Sequence, residues 1–108
     1  MTRSVIYFNF DKPGARDEFV ETFRRIGVIE TSSYQAGFLG GQLLTAVEDD
    51  NLAMVIADWE SPASYQGWLD NPAREEVGEQ LRPFLTIEPA GQVFEVLHEV
   101  APNTPVPA

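Results

Sequence analysis

The segment Leu52–Leu85, LAMVIADWESPASYQGWLDNPAREEVGEQLRPFL, constrains the fold more than any other, because a strand-like apolar run gives way at one corner to helical periodicity. Leu52 to Ala57 has no polar interruption, which predicts a strand from Leu52 to Glu60 buried on both faces. Ser61-Pro62 then offers an N-cap hydroxyl ahead of a proline at the first helical position. A short helix runs through Trp68 and Leu69. Asn71-Pro72 interrupts and restarts it, and Ala73, Val77, Leu81 and Phe84 form one apolar stripe beyond. Trp59, Tyr65 and Trp68 therefore cluster around one strand-to-helix corner. Rings with N–H and O–H handles suit a pocket for a flat, partly polar organic molecule.

The flanking sequence completes the topology. Val5 to Phe10 is rich in β-branched and aromatic residues and ends at Asp11-Lys12-Pro13-Gly14, as a first strand should. Phe19, Phe23 and Ile26 recur at helical spacing opposite charged residues, predicting an amphipathic helix over Pro13–Ile29. Phe38 to Val47 reads as a second strand in which Gly40-Gly41 marks a bulge or a close backbone approach. Glu48-Asp49-Asp50-Asn51 is the turn of a hairpin to the third strand, and Gln92 to Val100 is the fourth. The order β-α-β-β-α-β is a split βαβ arrangement, an α+β ferredoxin-like fold with an antiparallel sheet and helices on one face. Residues 1–100 form one domain, and the proline-rich tail 101–108 is extended unless a partner orders it.

With 108 residues the chain is the size of one ordinary domain. Seventeen acidic against seven basic side chains give a net charge of −10, which disfavours nucleic acid and anionic membranes as partners. No apolar run is long enough to cross a bilayer. Without cysteine there is no disulfide or thiolate chemistry, and a single histidine makes a transition-metal site improbable. The N-terminus lacks the pattern of a cleaved signal sequence, so the chain reads as cytoplasmic.

Alternation places Ile6, Phe8, Met54 and Ile56 in one set, assigned to the sheet face away from the helices. Such a face is too apolar for water, and a second copy covering it makes the protein a homodimer. The complementary set of Val5, Tyr7 and Asn9 is oriented toward the helices and a pocket. Asp58, beside Trp59 on a strand that otherwise reads as buried, faces the partner subunit or pairs with Arg3 or Arg74.

Val55 to Trp59 with Glu60-Ser61, the Trp-Glu-Ser-x-x-x-Tyr corner, Trp68, the Asn71-Pro72-Ala73-Arg74 restart and the Gly-Phe-Leu entry to the second strand together resemble the antibiotic biosynthesis monooxygenase domain family. The resemblance spans most of the chain. It implies a dimeric α+β barrel and one of several activities: quinone-forming oxygenation of aromatic polyketides without cofactors, heme breakdown, or quinol oxidation. The quinone-forming pattern resembles Asn-x-x-x-Trp on the third strand with tyrosine six residues later. Trp59 and Tyr65 match it, whereas Val55 stands where the asparagine would be. In the heme-degrading pattern Asn9 and Trp68 match the first-strand asparagine and the helical tryptophan, but Gly78 occupies the histidine position, leaving iron without an axial ligand.

The resemblance and the residue chemistry converge on a cofactor-free monooxygenase of a polycyclic aromatic or quinol-like substrate, with dioxygen as co-substrate and no metal. In such a reaction the substrate itself supplies electrons to dioxygen, and the pocket contributes donors where negative charge develops. The candidate catalytic residues are Trp59, Tyr65 and Asn9, with Tyr7, Gln42, Val55, Trp68 and His98 as substrate contacts. Each has a plainer alternative. Trp59 and Trp68 can be core packing, Asn9 an ordinary strand-end amide, and His98, a formal candidate for general base, a solvated terminal residue. A polyketide cyclase or isomerase, and a non-catalytic small-molecule-binding auxiliary protein, remain alternatives on the sequence alone.

Overall fold

Pairing along the first strand fixes everything else in the molecule. The computed structural model describes residues 1–108. Its elements are β1 (Thr2–Asn9), α1 (Ala15–Arg25), α2 (Val28–Ser32), β2 (Phe38–Thr45), β3 (Leu52–Trp59), α3 (Pro62–Leu69), α4 (Pro72–Leu81) and β4 (Ala90–Glu95), with a 3-10 turn at Arg82–Phe84. β1 lies inside the sheet, bonded antiparallel to β3 on one side and β4 on the other, in the order β2-β3-β1-β4. This is the expected ferredoxin-like arrangement, with each helical connection stepping over a neighbouring strand.

Among the boundaries that depart from the sequence reading, two have clear local causes. The first helix is interrupted at Gly27, whose φ of 72° lies in the left-handed region where glycine carries no Cβ penalty. α1 therefore closes there and α2 starts anew. β4 ends at Glu95 rather than Val100 because its partner runs out: Thr2 opposes Glu95, and one further bond joins the Val96 N–H to the Met1 carbonyl. A register shift between Phe38 and Gly40 places the anticipated bulge at the start of β2.

The assignment of faces on β1 is corrected by the register. Ile6 opposes Val55, Ser4 opposes Ala57, and Thr2 opposes Trp59, so these residues share one face. That face packs on the helices: Phe8, Phe10, Phe19, Phe23, Ala53 and Leu81 form the core, with Ile6 and Val55 against it. Val5, Tyr7 and Asn9 instead share the open face with Met54 and Ile56. Apolar side chains occur at both parities of β1, so alternation within that strand could not orient it; the cross-strand register does.

Phe19 from α1 is completely buried, with ring centroids 4.7 Å from Phe8, 5.2 Å from Phe10 and 5.7 Å from Phe23. This cluster anchors α1 to one end of the sheet. A cleft lies between the sheet and the helices α3 and α4. Asp58 is accounted for on the open face, where Arg3 on the neighbouring strand meets it in a two-pronged pair at 2.7 and 3.0 Å. No helix is long and apolar enough to cross a membrane.

Candidate active site

The corner after β3 is held by two helix caps. The Ser61 hydroxyl accepts from the Ser64 N–H at 3.3 Å at the start of α3, and Pro62 occupies the first turn. Asn71 accepts from the Ala73 N–H at 2.9 Å at the start of α4, while its amide donates to the Gln35 side chain at 3.1 Å. Together these fix the direction of α3, and hence of Tyr65 and Trp68, relative to the strands.

Between the sheet and this helical pair lies a cleft of about 820 Å³, within the range of small-molecule sites. Its floor is Ser4, Ile6 and Phe8 of β1 and Val55, Ala57 and Trp59 of β3. Tyr65, Trp68 and Val77 supply the helical wall, and the exposed side chains of Arg74, Glu75 and Glu88 stand at its margin. The lining mixes apolar and aromatic side chains with polar and charged ones, and it contains no histidine, cysteine or methionine.

Trp59 is 1% exposed, and its ring packs edge-on against Phe38 at 5.4 Å and tilted against Tyr65 at 5.5 Å. Its indole N–H donates to Ser4 Oγ at 3.1 Å. The expectation that this N–H would be open to a substrate is therefore corrected: a buried indole needs a partner, and Ser4 already supplies one. Tyr65 is only half-buried, and its hydroxyl is the phenolic donor at the cleft, with the Trp68 indole beside it in the lining. Burial pushes the Tyr65 pKa above the ordinary tyrosine value, because a phenolate there would lose hydration. The positive charge of Arg74 and the Ser4 hydroxyl pull it part of the way back.

Of the residues singled out from sequence, Val55, Trp59, Tyr65 and Trp68 meet in the cleft. Asn9, Tyr7 and Gln42 do not. Tyr7 opposes Met54 and Gln42 opposes Ile56 on the open face, and Asn9 follows Tyr7 there at the end of β1. His98 is exposed beyond β4, remote from the cleft lining. Sequence reasoning missed Ser4 altogether, since nothing local marks a serine whose importance comes from a neighbouring strand. Arg74, a candidate partner for Asp58 on the sequence, stands instead at the cleft, where its charge acts on the ionisation of Tyr65.

The chain is similar to the heme oxygenase (mycobilin-producing) of Mycobacterium tuberculosis, 35% identical over 75 residues that cover 68% of this chain and 69% of the relative. Its fold is similar to the crystal structure of a monooxygenase from the gene ActVA-Orf6 of Streptomyces coelicolor in complex with nanaomycin D. The identity is 25%, the TM-score 0.79, and the match covers 94% of this chain and 92% of the other. The fold also matches SnoaB, a cofactor-independent oxygenase from Streptomyces nogalater, at 24% identity and a TM-score of 0.75, covering 94% of this chain and 97% of that one. Residues 1–80 match the family described as antibiotic biosynthesis monooxygenase, and with two-thirds of a 35% identical relative also covered, the chain belongs to that family.

Proposed function

We propose that this protein is a cofactor-independent monooxygenase that converts a polycyclic aromatic or quinol-like substrate to a quinone, in antibiotic or polyketide metabolism. The observation that carries the proposal is the cleft itself: an aromatic-walled space of about 820 Å³ with one accessible phenol donor, Tyr65, and Trp68 beside it. Family membership and the cofactor-independent oxygenase among the structural relatives support the same reading.

In the reaction proposed, a ring CH₂ and dioxygen become a carbonyl and water. The substrate loses a proton to solvent at the open margin and becomes an enolate, which passes an electron to dioxygen. The resulting radical pair combines to a peroxide anion, which takes a proton back from solvent, and loss of water with the remaining hydrogen of the ring carbon leaves the quinone carbonyl. Tyr65 contributes a hydrogen bond to the substrate oxygen on which the enolate charge rests, and a well-placed donor of this kind is worth about 2.7–4 kcal/mol of barrier. Burial holds its pKa above the ordinary tyrosine value, so at neutral pH it acts as a hydrogen-bond donor and not as a base.

Heme, the substrate named for the mycobacterial relative, fits this lining poorly. The cleft offers neither histidine, cysteine nor methionine to an iron atom, and Tyr65 would have to ionise against its burial.

The open sheet face carries Tyr7, Leu44, Met54, Ile56 and Phe94, with Tyr7 37% and Phe94 42% exposed. A second copy covering this face as a homodimer is the arrangement that accounts for it. The surface differs from the one expected in that Tyr7 and Val5 replace Ile6 and Phe8.

The test is oxygen uptake with a panel of anthrones and naphthols in chelator-treated buffer, run beside hemin with a reductant. One dioxygen consumed per quinone formed is the expected result. Acceleration of none of the panel sinks the proposal; heme breakdown would move the activity to that branch of the family, and product formed without oxygen would make the protein a cyclase.

A further inference from the structure

Ser4 sits on β1 directly opposite Ala57, 4% exposed, on the floor of the cleft. Its hydroxyl has one proton and two lone pairs. The Trp59 indole N–H occupies one lone pair at 3.1 Å. The proton's nearest backbone acceptor, the Ala57 carbonyl, is 3.4 Å away, beyond the usual range for an O–H donor. Ser4 is thus a hydroxyl fixed from behind, with its proton weakly held. Tyr65 lines the same cleft, its ring packed on Trp59 with centroids 5.5 Å apart, so the indole that anchors Ser4 is also the neighbour of the phenol.

We propose that Ser4 is a positioning residue for Tyr65: anchored by the indole of Trp59, it turns its proton toward the tyrosine oxygen and thereby directs the tyrosine's own proton into the cleft. The inference rests on Tyr65 being the substrate donor. Three donors then point one way, from indole to serine to phenol to substrate oxygen, and each polarises the next. No bond is made or broken along this line. The Trp59 indole N–H takes part in the chemistry without bonding the guest, which reconciles its bond to Ser4 with the ring's place in the cleft floor. The influence of Ser4 on Tyr65 ionisation has the sign this requires, since a donor to the phenol oxygen stabilises the phenolate.

The experiment follows tyrosinate absorbance during alkaline titration of the full chain, using Tyr65→Phe to identify the contribution of Tyr65 among the three tyrosines. Ser4→Ala is expected to raise the Tyr65 pKa further, and Ser4→Thr, which keeps the hydroxyl, to leave it near the wild-type value. Where the substrate panel gives turnover, Ser4→Ala should lower kcat by about three- to tenfold, with KM little changed, as expected for loss of one neutral hydrogen bond. A Tyr65 titration that is the same in Ser4→Ala and wild type overturns the proposal. Should Ser4→Ala not fold, Trp59→Phe leaves the serine in place but removes its anchor, and it must move Tyr65 in the same direction or the proposal fails. Because the titration needs no substrate, a failed oxygenase reading and a failed role for Ser4 give separate results.

Discussion

The Trp59 indole reaches diagonally across the β1–β3 pair to Ser4, donating at 3.1 Å from a side chain that is 1% exposed. The bond closes the tryptophan's only donor to any guest and ties the end of β3 to β1 at the point where the chain turns into α3. Stability and function therefore meet at one contact, and substitutions around it separate them.

Trp59→Phe removes part of a fully buried ring and leaves Ser4 without its donor. Lost volume and the lost bond together should cost about 1–3 kcal/mol, read as a lower urea midpoint with an unchanged m-value. An unchanged midpoint would mean that the indole is replaceable filler at this corner.

Tyr65→Phe keeps the ring that packs on Trp59 and deletes only the hydroxyl. Stability should change by less than about 1 kcal/mol, because the half-buried phenol makes no fully formed hydrogen bond whose loss would strand a partner. In steady-state kinetics kcat should fall on the order of a hundredfold with KM little altered, the pattern of a donor that acts in the transition state. Equal kcat in the two proteins would take Tyr65 out of the chemistry.

These two residues were legible in the sequence because their signals are local: a strand end, a capped helix start and two aromatics six positions apart. Asn9, Tyr7 and Gln42 were assigned to the pocket and lie on the other face. Val5, Ile6, Tyr7 and Phe8 are all apolar or aromatic, so a period of two has two equally good phases in β1, and only pairing with β3 selects between them. The same selection raised Ser4 from an unremarkable strand residue to a neighbour of both Trp59 and Tyr65. Gly27 escaped notice because helical periodicity continues on either side of it, and only its left-handed backbone reveals the break.

Phe19→Ala tests the opposite end of the molecule. The ring is fully buried among Phe8, Phe10 and Phe23, and its removal leaves a cavity that three aromatic neighbours cannot collapse to fill. A loss of about 3–5 kcal/mol is expected in urea denaturation. A loss below about 1 kcal/mol would show that α1 repacks freely, which close-packed interiors rarely allow.

The raised pKa of Tyr65, caused first by burial, makes a prediction about alkaline stability. Below the unfolded value of 10.0 both states hold the proton, and this group contributes no pH dependence. Between 10.0 and the higher folded value the unfolded chain has lost its proton while the native one retains it, so stability falls as pH rises through that window. Urea midpoints measured from about pH 8 to about pH 11 should therefore decline more steeply in wild type than in Tyr65→Phe. Parallel curves would mean that the folded phenol ionises as freely as an unfolded one. By the same sign, Tyr65 should introduce no alkaline loss of kcat below its unfolded value.

Gly37 links the second strand to the corner between β3 and α3. Its carbonyl accepts from the Glu60 N–H at 2.8 Å, and its φ of 87° lies where other residues are strained. A Cβ at this position would also collide with the Ser64 side chain at the start of α3. Gly37→Ala should thus cost about 1–2 kcal/mol for the backbone alone, with about 1–3 kcal/mol more where α3 cannot yield. If α3 yields instead, Tyr65 moves with it, so the variant should lose either thermal stability or kcat in the oxygen-uptake assay. Because the collision involves the Ser64 Cβ as well as its Oγ, a second change of Ser64→Ala should not relieve it, whereas Ser64→Gly should recover the steric part and leave the backbone part. Equal recovery by alanine and glycine would show that the clash lies only with the hydroxyl and that the corner is looser than its two caps require.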